Sequence, residues 1–307
     1  SMMQLHNKKS LYFFINPKSG VGIAMDIFRK AREILAKNNI SSEVYVSECK
    51  GDIAEKISTI NLTNFSGIII IGGDGTIHEA INGLIRSGKS HYLPVGVIPS
   101  GSGNAFASDL NINEIDKAID NIIRFEYRDI DVMQINHKDG VCYSANILGW
   151  GMAAKVNSIA EKFRFLGGIR YTIASIICIV FLKFKNMDIS IDDKCIKCQG
   201  LLFLALNTIH TGKGMKMAPY AKLDDGLIDL ILFRNASRYN IFRIFLKIYS
   251  GDHIFCDGVE YKQASEFSIN TEDDPLNIDG EIMGRTPVKV RIMRNKIKVI
   301  TSTIKCT

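Results

Sequence analysis

The sequence predicts an N-terminal α/β domain with a mainly parallel sheet, joined to a second domain that is largely antiparallel β. Three observations carry that prediction. The chain has 307 residues, and at roughly 100–200 residues per domain that length fits two domains better than one. Short apolar runs alternate with helical patterns up to about residue 130, the arrangement that builds parallel sheets. From there on, Asp-Gly pairs at Asp139, Asp225, Asp257 and Asp279 punctuate segments rich in Val, Ile, Phe and Tyr, and Asp-Gly supplies the positive φ angles of tight hairpins. The expected division is 1–130 and 131–307, with the last strand a candidate to return to the first domain.

The elements follow in order. Leu11 to Ile15 is an apolar run, followed by Asn16-Pro17-Lys18-Ser19-Gly20 and a helical pattern from Ile23 to Lys37 with Ile27, Ile34 and Leu35 on one face. Glu43 to Val46 reads as a second strand and Asp52 to Ile60 as a second helix. Gly67 to Ile71 is apolar at every position, as in a strand covered on both faces of a parallel sheet. It runs into Gly72-Gly73-Asp74-Gly75-Thr76 and a helix in which Ile77, Ala80, Ile81, Leu84 and Ile85 share a face. Val95 to Ile98 is a further buried strand. In the second half two helical stretches interrupt the strands: Ala153 to Leu182, broken around Gly167-Gly168, and Tyr239 to Ser250.

Hydrophobic residues make up 46% of the chain and charged residues 23%, which excludes a disordered, collagen-like or disulfide-scaffold protein. A net charge of +6 fits an anionic ligand or membrane surface but not a nucleic-acid footprint, so no nucleic-acid partner is expected. Seven thinly spread cysteines point to a reducing compartment. Cys195 and Cys198 lack a second pair and a His at ligand spacing, so they read as ordinary thiols. The N-terminus has no apolar signal core, and the uncharged stretch Tyr171 to Leu182 is shorter than the ~20 residues of a membrane span. The expectation is a cytoplasmic protein whose membrane contact is peripheral. Nothing in the sequence reads out an oligomeric state.

Three strand-to-helix junctions of the first domain are rich in Gly, Ser, Asn and Thr. In an open parallel sheet such junctions lie along the carboxyl edge, where ligands bind. Helix N-termini there offer N–H groups and a positive dipole end to phosphate, and glycines let the backbone approach closely. One such loop is ordinary turn chemistry; three together point to a phosphate cradle. Asp74 stands out, because a carboxylate in a phosphate loop repels the ligand unless it coordinates Mg2+ or takes a proton from an attacking hydroxyl. The competing reading is a helix cap, but Thr76 offers a capping hydroxyl nearby, which favours the chemical role. Gly-Gly beside Asp then suggests phosphoryl transfer.

Two other matches are set aside. Gly83 to Ser90 fits the P-loop pattern but lies inside a helical pattern with Gly88 as its C-cap, not between a strand and a helix. Gly101-Ser102-Gly103 opens like a dinucleotide fingerprint, but Phe106 takes the place of the third glycine.

Taken in order, Asn16-Pro17-Lys18-Ser19-Gly20, Gly72-Gly73-Asp74-Gly75-Thr76, Ser100-Gly101-Ser102-Gly103-Asn104-Ala105-Phe106-Ala107 and Asp279-Gly280-Glu281 resemble the diacylglycerol kinase catalytic-domain superfamily, which includes sphingosine, ceramide and bacterial lipid kinases. The resemblance runs from about Leu11 to about Val299. Gly-Gly-Asp-Gly-Thr alone is shared with NAD kinases and phosphofructokinase-like proteins, whereas the ordered set is specific. It implies a phosphofructokinase/NAD-kinase-like nucleotide domain, a C-terminal β-sandwich domain that holds lipid, ATP and Mg2+ as cofactors, and a membrane lipid as substrate. On that implication Asn16, Gly73, Gly75, Thr76, Ser100, Gly101 and Asn104 bind the nucleotide, with Arg164 and Arg170 on its phosphates. Asp74 is the base for the lipid hydroxyl. Asp279 and Glu281 bind the metal or assist as base, and Asp225 holds a structural Mg2+. The plain alternative for Asp225 and for Asp279 is a hairpin turn.

Sphingosine kinases carry an aspartate for the sphingoid amino group where this chain has Asn157, and Lys155 also replaces an acid. Loss of a charged hydrogen bond of about 1.5–3 kcal/mol lowers affinity for a sphingoid base roughly tenfold or more, which leaves diacylglycerol-like and other neutral hydroxy-lipids open. Ile173 and Ile177, in the apolar stretch Tyr171 to Phe184, either pack in the core or wall an acyl-chain pocket. The expected function is an ATP-dependent lipid kinase of the sphingoid-base or diacylglycerol type. The alternatives are an NAD-kinase-like enzyme with a soluble substrate and a non-catalytic lipid- or nucleotide-binding regulator.

Overall fold

The computed structural model describes residues 8–100, 104–181, 183–211 and 214–302. They group into two compact units, Ser1–Gly101 with Leu110–Asp129 and Lys296–Thr307, and Ser102–Asp109 with Ile130–Asn295. The division is therefore not a single cut near residue 130. The end of the Gly-Ser-Gly-Asn-Ala-Phe-Ala run groups with the second unit, and the last residues group with the first.

In the first unit, β1 (Lys9–Ile15), β2 (Ile40–Val46), β3 (Gly67–Gly72) and β4 (Val95–Pro99) pair in parallel in the order β2-β1-β3-β4. The end of the chain's last strand joins β4, with Val299 opposite Val95. Every residue of β3 is buried, as its unbroken apolar run requires, and each of its isoleucines contributes about 1.5–3 kcal/mol by leaving water. Helices α1 (Ala24–Lys37), α2 (Asp52–Thr59) and α3 (Asp74–Arg86) alternate with these strands. The short α4 (Ala105–Asp109) groups with the second unit, and α5 (Ile115–Arg124) with the first. Gly83 lies within α3, where a Cβ would stand 2.8 Å from the Ala54 carbonyl oxygen on α2. Close helix packing thus accounts for the first glycine of the P-loop-like pattern, and Gly88, at φ 72°, follows the end of α3.

The second unit holds most of β5 (Tyr127–His137), then β6 (Gly140–Ser144), β7 (Ile147–Gly151), α6 (Met152–Lys162), α7 (Arg170–Val180), β8 (Lys185–Ile191), β9 (Lys194–Leu206), β10 (Ile228–Arg234), α8 (Arg238–Lys247), β11 (Val259–Ala264), β12 (Glu266–Ile269), β13 (Pro275–Ile278), β14 (Glu281–Arg285) and most of β15 (Val288–Ile300). The registered pairs here are antiparallel. Alternation along β10 divides its side chains between two cores. Ile228, Leu230 and Leu232 join Trp150, Phe203 and Phe267 inside the sandwich, while Ile231 and Phe233 pack with Ile241, Ile244 and Phe245 of α8.

Two of the four Asp-Gly pairs close hairpins: Asp139-Gly140 between β5 and β6, and Asp279-Gly280 between β13 and β14. Asp225-Gly226 and Asp257-Gly258 instead turn the chain into β10 and β11. The same positive φ, 70° at Gly226 and 88° at Gly258, serves any tight turn. In α7 the buried residues are Ala174, Ser175, Cys178 and Ile179, while Ile173 and Ile177 are half-buried and Ile176 and Val180 exposed. Core packing therefore accounts for only part of that helix's apolar character. Among the described residues no helix is long and apolar enough to cross a membrane.

Candidate active site

The carboxyl ends of β1, β3 and β4 are tied to one another by side chains. Asn16 follows β1; its N–H donates to the Ile71 carbonyl at 3.1 Å, and its Oδ1 accepts the Lys18 N–H at 3.1 Å, an Asx turn. Its Nδ2 donates to Thr76 Oγ1 at 3.4 Å. Ser100, after β4, donates its hydroxyl to Ser19 Oγ at 2.7 Å. Asn16, Thr76 and Ser100 of the expected nucleotide set are thus brought together, and Ser19 joins them. Thr76 and Ser100 are buried.

The two glycines ahead of α3 differ in kind. A Cβ on Gly72 would lie 2.5 Å from Thr76 Oγ1, so glycine there is a packing requirement. Gly73 is the N-cap of α3, with φ −98° and ψ −167°, backbone open to any residue, and a Cβ there would meet none of the described residues within 4 Å. Among the described residues that space is clear beside a helix N-terminus, the kind of place that receives phosphate. Asp74 and Gly75 open α3, and both are half-buried. Thr76 does not take the capping role expected of it: the N-cap is a glycine without a side chain, and the Thr76 hydroxyl accepts from Asn16.

In the second unit, Asp279 and Gly280 have φ of 53° and 89°, as a two-residue hairpin demands. Asp279 is also more than a turn residue. Its buried Oδ1 accepts the Ser144 hydroxyl at 2.5 Å and the Ile147 N–H at 3.1 Å, and its own N–H donates to the Ile147 carbonyl at 2.9 Å. These bonds pin the hairpin that leads into Glu281, the first residue of β14.

Sequence reading missed the polar chain behind that hairpin. Asn146 donates its N–H to Ser144 Oγ at 3.1 Å, and Thr208 donates to Asn146 Oδ1 at 2.5 Å. Two residues on, His210 Nδ1 lies 2.9 Å from Asp109 Oδ1, and Asp109 Oδ2 accepts the Ile209 N–H at 2.6 Å. Burial pushes the Asp109 carboxyl up, against the hydrogen bonds from Ile209 and His210 that pull it down. Asp109 ends α4, whose start is capped by Asn104: its Oδ1 accepts the Ala107 N–H at 2.9 Å. His210 heads a His-Thr-Gly-Lys-Gly run, and its partner lies 101 positions away.

Asp225 Oδ1 accepts the Leu227 N–H at 3.0 Å, a turn contact. Burial raises its pKa, and nearby Asp131 adds to the shift. Asp131, fully buried, accepts the N–H groups of Gly226 at 2.7 Å and Asn295 at 2.9 Å. Among the described residues no group of three or more His, Cys, Asp or Glu could hold a metal. Arg170 opens α7 and is half-buried; Ile173 and Ile177 lie on the same helix. Gly101 and the side chains of Asn157, in α6, and Arg164 lie outside the described residues.

Residues 10–135 match the family model described as the diacylglycerol kinase catalytic domain. Residues 146–301 match that of the YegS C-terminal NAD kinase β-sandwich-like domain. The chain is 31% identical over 277 residues to a diacylglycerol kinase of Bacillus subtilis, covering 89% of each. It is 25% identical to sphingosine kinase 1 of Arabidopsis thaliana over 342 residues, 92% of this chain and 70% of the relative. The fold is similar to that of a diacylglycerol kinase crystal structure from Bacillus anthracis, with a TM-score of 0.74, 20% identity, and coverage of 96% of this chain and 97% of that one.

Proposed function

The chain belongs to the diacylglycerol kinase family of lipid kinases, and from that premise we propose that it transfers the γ-phosphoryl group of ATP to the hydroxyl of a neutral membrane lipid of the diacylglycerol type. The observation that supports this most strongly is the rim formed by Asn16, Ser19, Thr76 and Ser100, hydrogen-bonded to one another beside the clear space at Gly73. ATP supplies the phosphoryl group, and Mg2+ on its phosphates offsets their charge.

The protein's part is positioning and proton transfer. Backbone N–H groups at the start of α3 receive phosphate oxygens. Asn16, bonded to Thr76, and Ser100, bonded to Ser19, hold the neighbouring loops in place, so little reorganisation is needed when the nucleotide enters. Asp74 accepts the proton of the lipid hydroxyl as its oxygen attacks phosphorus, and ADP leaves. For Glu281, which follows the pinned Asp279, the family likeness implies metal binding or assistance as base. Asn104 acts through α4, which it caps. The neutral lipid is favoured over a sphingoid base because Asn157 and Lys155 offer no negative charge to an ammonium head.

Labelled ATP offered with diacylglycerol, sphingosine, ceramide and NAD tests this directly. Label in the diacylglycerol product is the expected outcome. Label only in NAD would reject the lipid assignment, and label in nothing would favour a binding protein.

A further inference from the structure

Helix α8 carries two apolar faces. One, Ile241, Ile244 and Phe245 with the following Ile248, is buried in the core against β9 and β10. The other, Tyr239, Phe242, Leu246 and Tyr249, recurs at spacings of three, four and three and so forms one stripe. That stripe is open: Tyr239 is 72%, Leu246 56% and Phe242 42% exposed. A helix needs only one apolar face to hold its place, so the second has no packing role. The surface extends to α7, where Thr172 and Tyr249 hydroxyls meet at 3.1 Å and Ile176, Val180 and the following Phe181 are exposed. It also extends past α8 to Phe255, 73% exposed.

Along α8 and α7 themselves the charge has one sign, while Asp252 and Asp257 stand exposed on either side of Phe255. Residues 234–251 contain four basic and no acidic side chains, and residues 162–187 contain five basic and none acidic, against a net charge of +6 for the whole chain. Of these nine, Arg234 is paired with Glu260 and Lys185 with Asp274. Arg238, Arg243, Lys247 and Lys183 form no ion pair among the described residues. The Arg243 guanidinium stands 6.0 Å over the Tyr239 ring, at the border of the stripe.

We infer that the outer face of α8, with the exposed face of α7 and Phe255, docks on an anionic lipid bilayer. An apolar stripe with tyrosines along it and arginine and lysine beside it matches the interface, where rings sit at headgroup level and basic side chains meet lipid phosphates. The inference rests on the lipid-kinase reading for why the protein should visit a bilayer, while docking itself needs neither ATP nor substrate.

The full chain is tested by co-sedimentation with vesicles of phosphatidylcholine alone and of phosphatidylcholine containing about 30% phosphatidylglycerol, without diacylglycerol or ATP. Wild type should bind the anionic vesicles at least about tenfold more tightly, and less tightly as salt rises. Phe242→Ser with Leu246→Ser, and separately Arg243→Glu with Lys247→Glu, should each lose about tenfold or more. Their thermal unfolding and their turnover of a water-dispersed short-chain diacylglycerol should match wild type. Equal binding to both vesicles, or variants that bind as wild type does, overturns the inference. So does a wild-type dimer that these substitutions make monomeric while vesicle binding is unchanged, since the face then serves a second copy of the chain. Absence of turnover on the short-chain lipid by wild type would count against the kinase reading and leave the docking result standing.

Discussion

The side-chain amide of Asn16 donates to the hydroxyl of Thr76 at 3.4 Å, joining the loop after β1 to the first turn of α3. With the Ser19–Ser100 bond it makes three separate glycine-, serine- and asparagine-bearing junctions into one rim. A rim already assembled loses little entropy on binding a triphosphate, which is the form of preorganisation that phosphoryl transfer uses.

Gly72 and Gly73 should respond to alanine in opposite ways. Gly72→Ala forces its methyl against Thr76, breaks the Asn16–Thr76 contact and should destabilise the protein by about 1–3 kcal/mol. Gly73→Ala has room and an allowed backbone, so its thermal unfolding should stay near wild type while nucleotide affinity falls at least about tenfold, or about 1.4 kcal/mol. Calorimetric titration with a non-hydrolysable ATP analogue, beside thermal melts, checks both. Unchanged nucleotide affinity in Gly73→Ala would remove that space from the site.

Ser144→Ala leaves a buried Asp279 oxygen without its hydroxyl donor and should cost about 1–3 kcal/mol in denaturant unfolding. Because Asp279 pins the hairpin that carries Glu281, kcat should drop. A variant with wild-type kcat would mean that the hairpin's pin has no part in turnover.

Asp229 in β10 is wholly buried, hydrogen-bonded to Tyr261 and Gln263. Burial pushes its pKa from 3.8 up to about 6, against those bonds. The folded protein therefore holds this proton more tightly than the unfolded chain. Its contribution is complete below about pH 4 and is lost as pH rises through about 6. Asp229→Asn cannot ionise, so stability should shift in the variant's favour, relative to wild type, between pH 4 and pH 7. Denaturant melts at both values measure it; a constant difference would contradict the assignment.

The run Gly67 to Ile71 announces a strand buried on both faces because every residue in it is apolar, and β3 is buried throughout. The site motifs are readable one at a time because their glycines and hydroxyls are local signals. What binds them together is not local. Asn16 and Thr76 are 60 positions apart, and Ser19 and Ser100 are 81, so no spacing rule reveals either pair. Thr76 looked like a cap because caps are local; Asn16, arriving from another strand, claims the hydroxyl instead. Helix α8 shows a third limit. Periodicity reports which residues are apolar, and only the fold reports which face is covered.

Asp74 offers the most direct test of the lipid-kinase account. Turnover of labelled ATP and diacylglycerol in mixed micelles should place the label in the lipid product with wild type. Asp74→Asn should abolish that transfer, a drop of about 100-fold or more, while its thermal melt stays unchanged. A folded Asp74→Asn protein that still phosphorylates the lipid at the wild-type rate, or a wild-type protein that labels no lipid at all, would contradict the account.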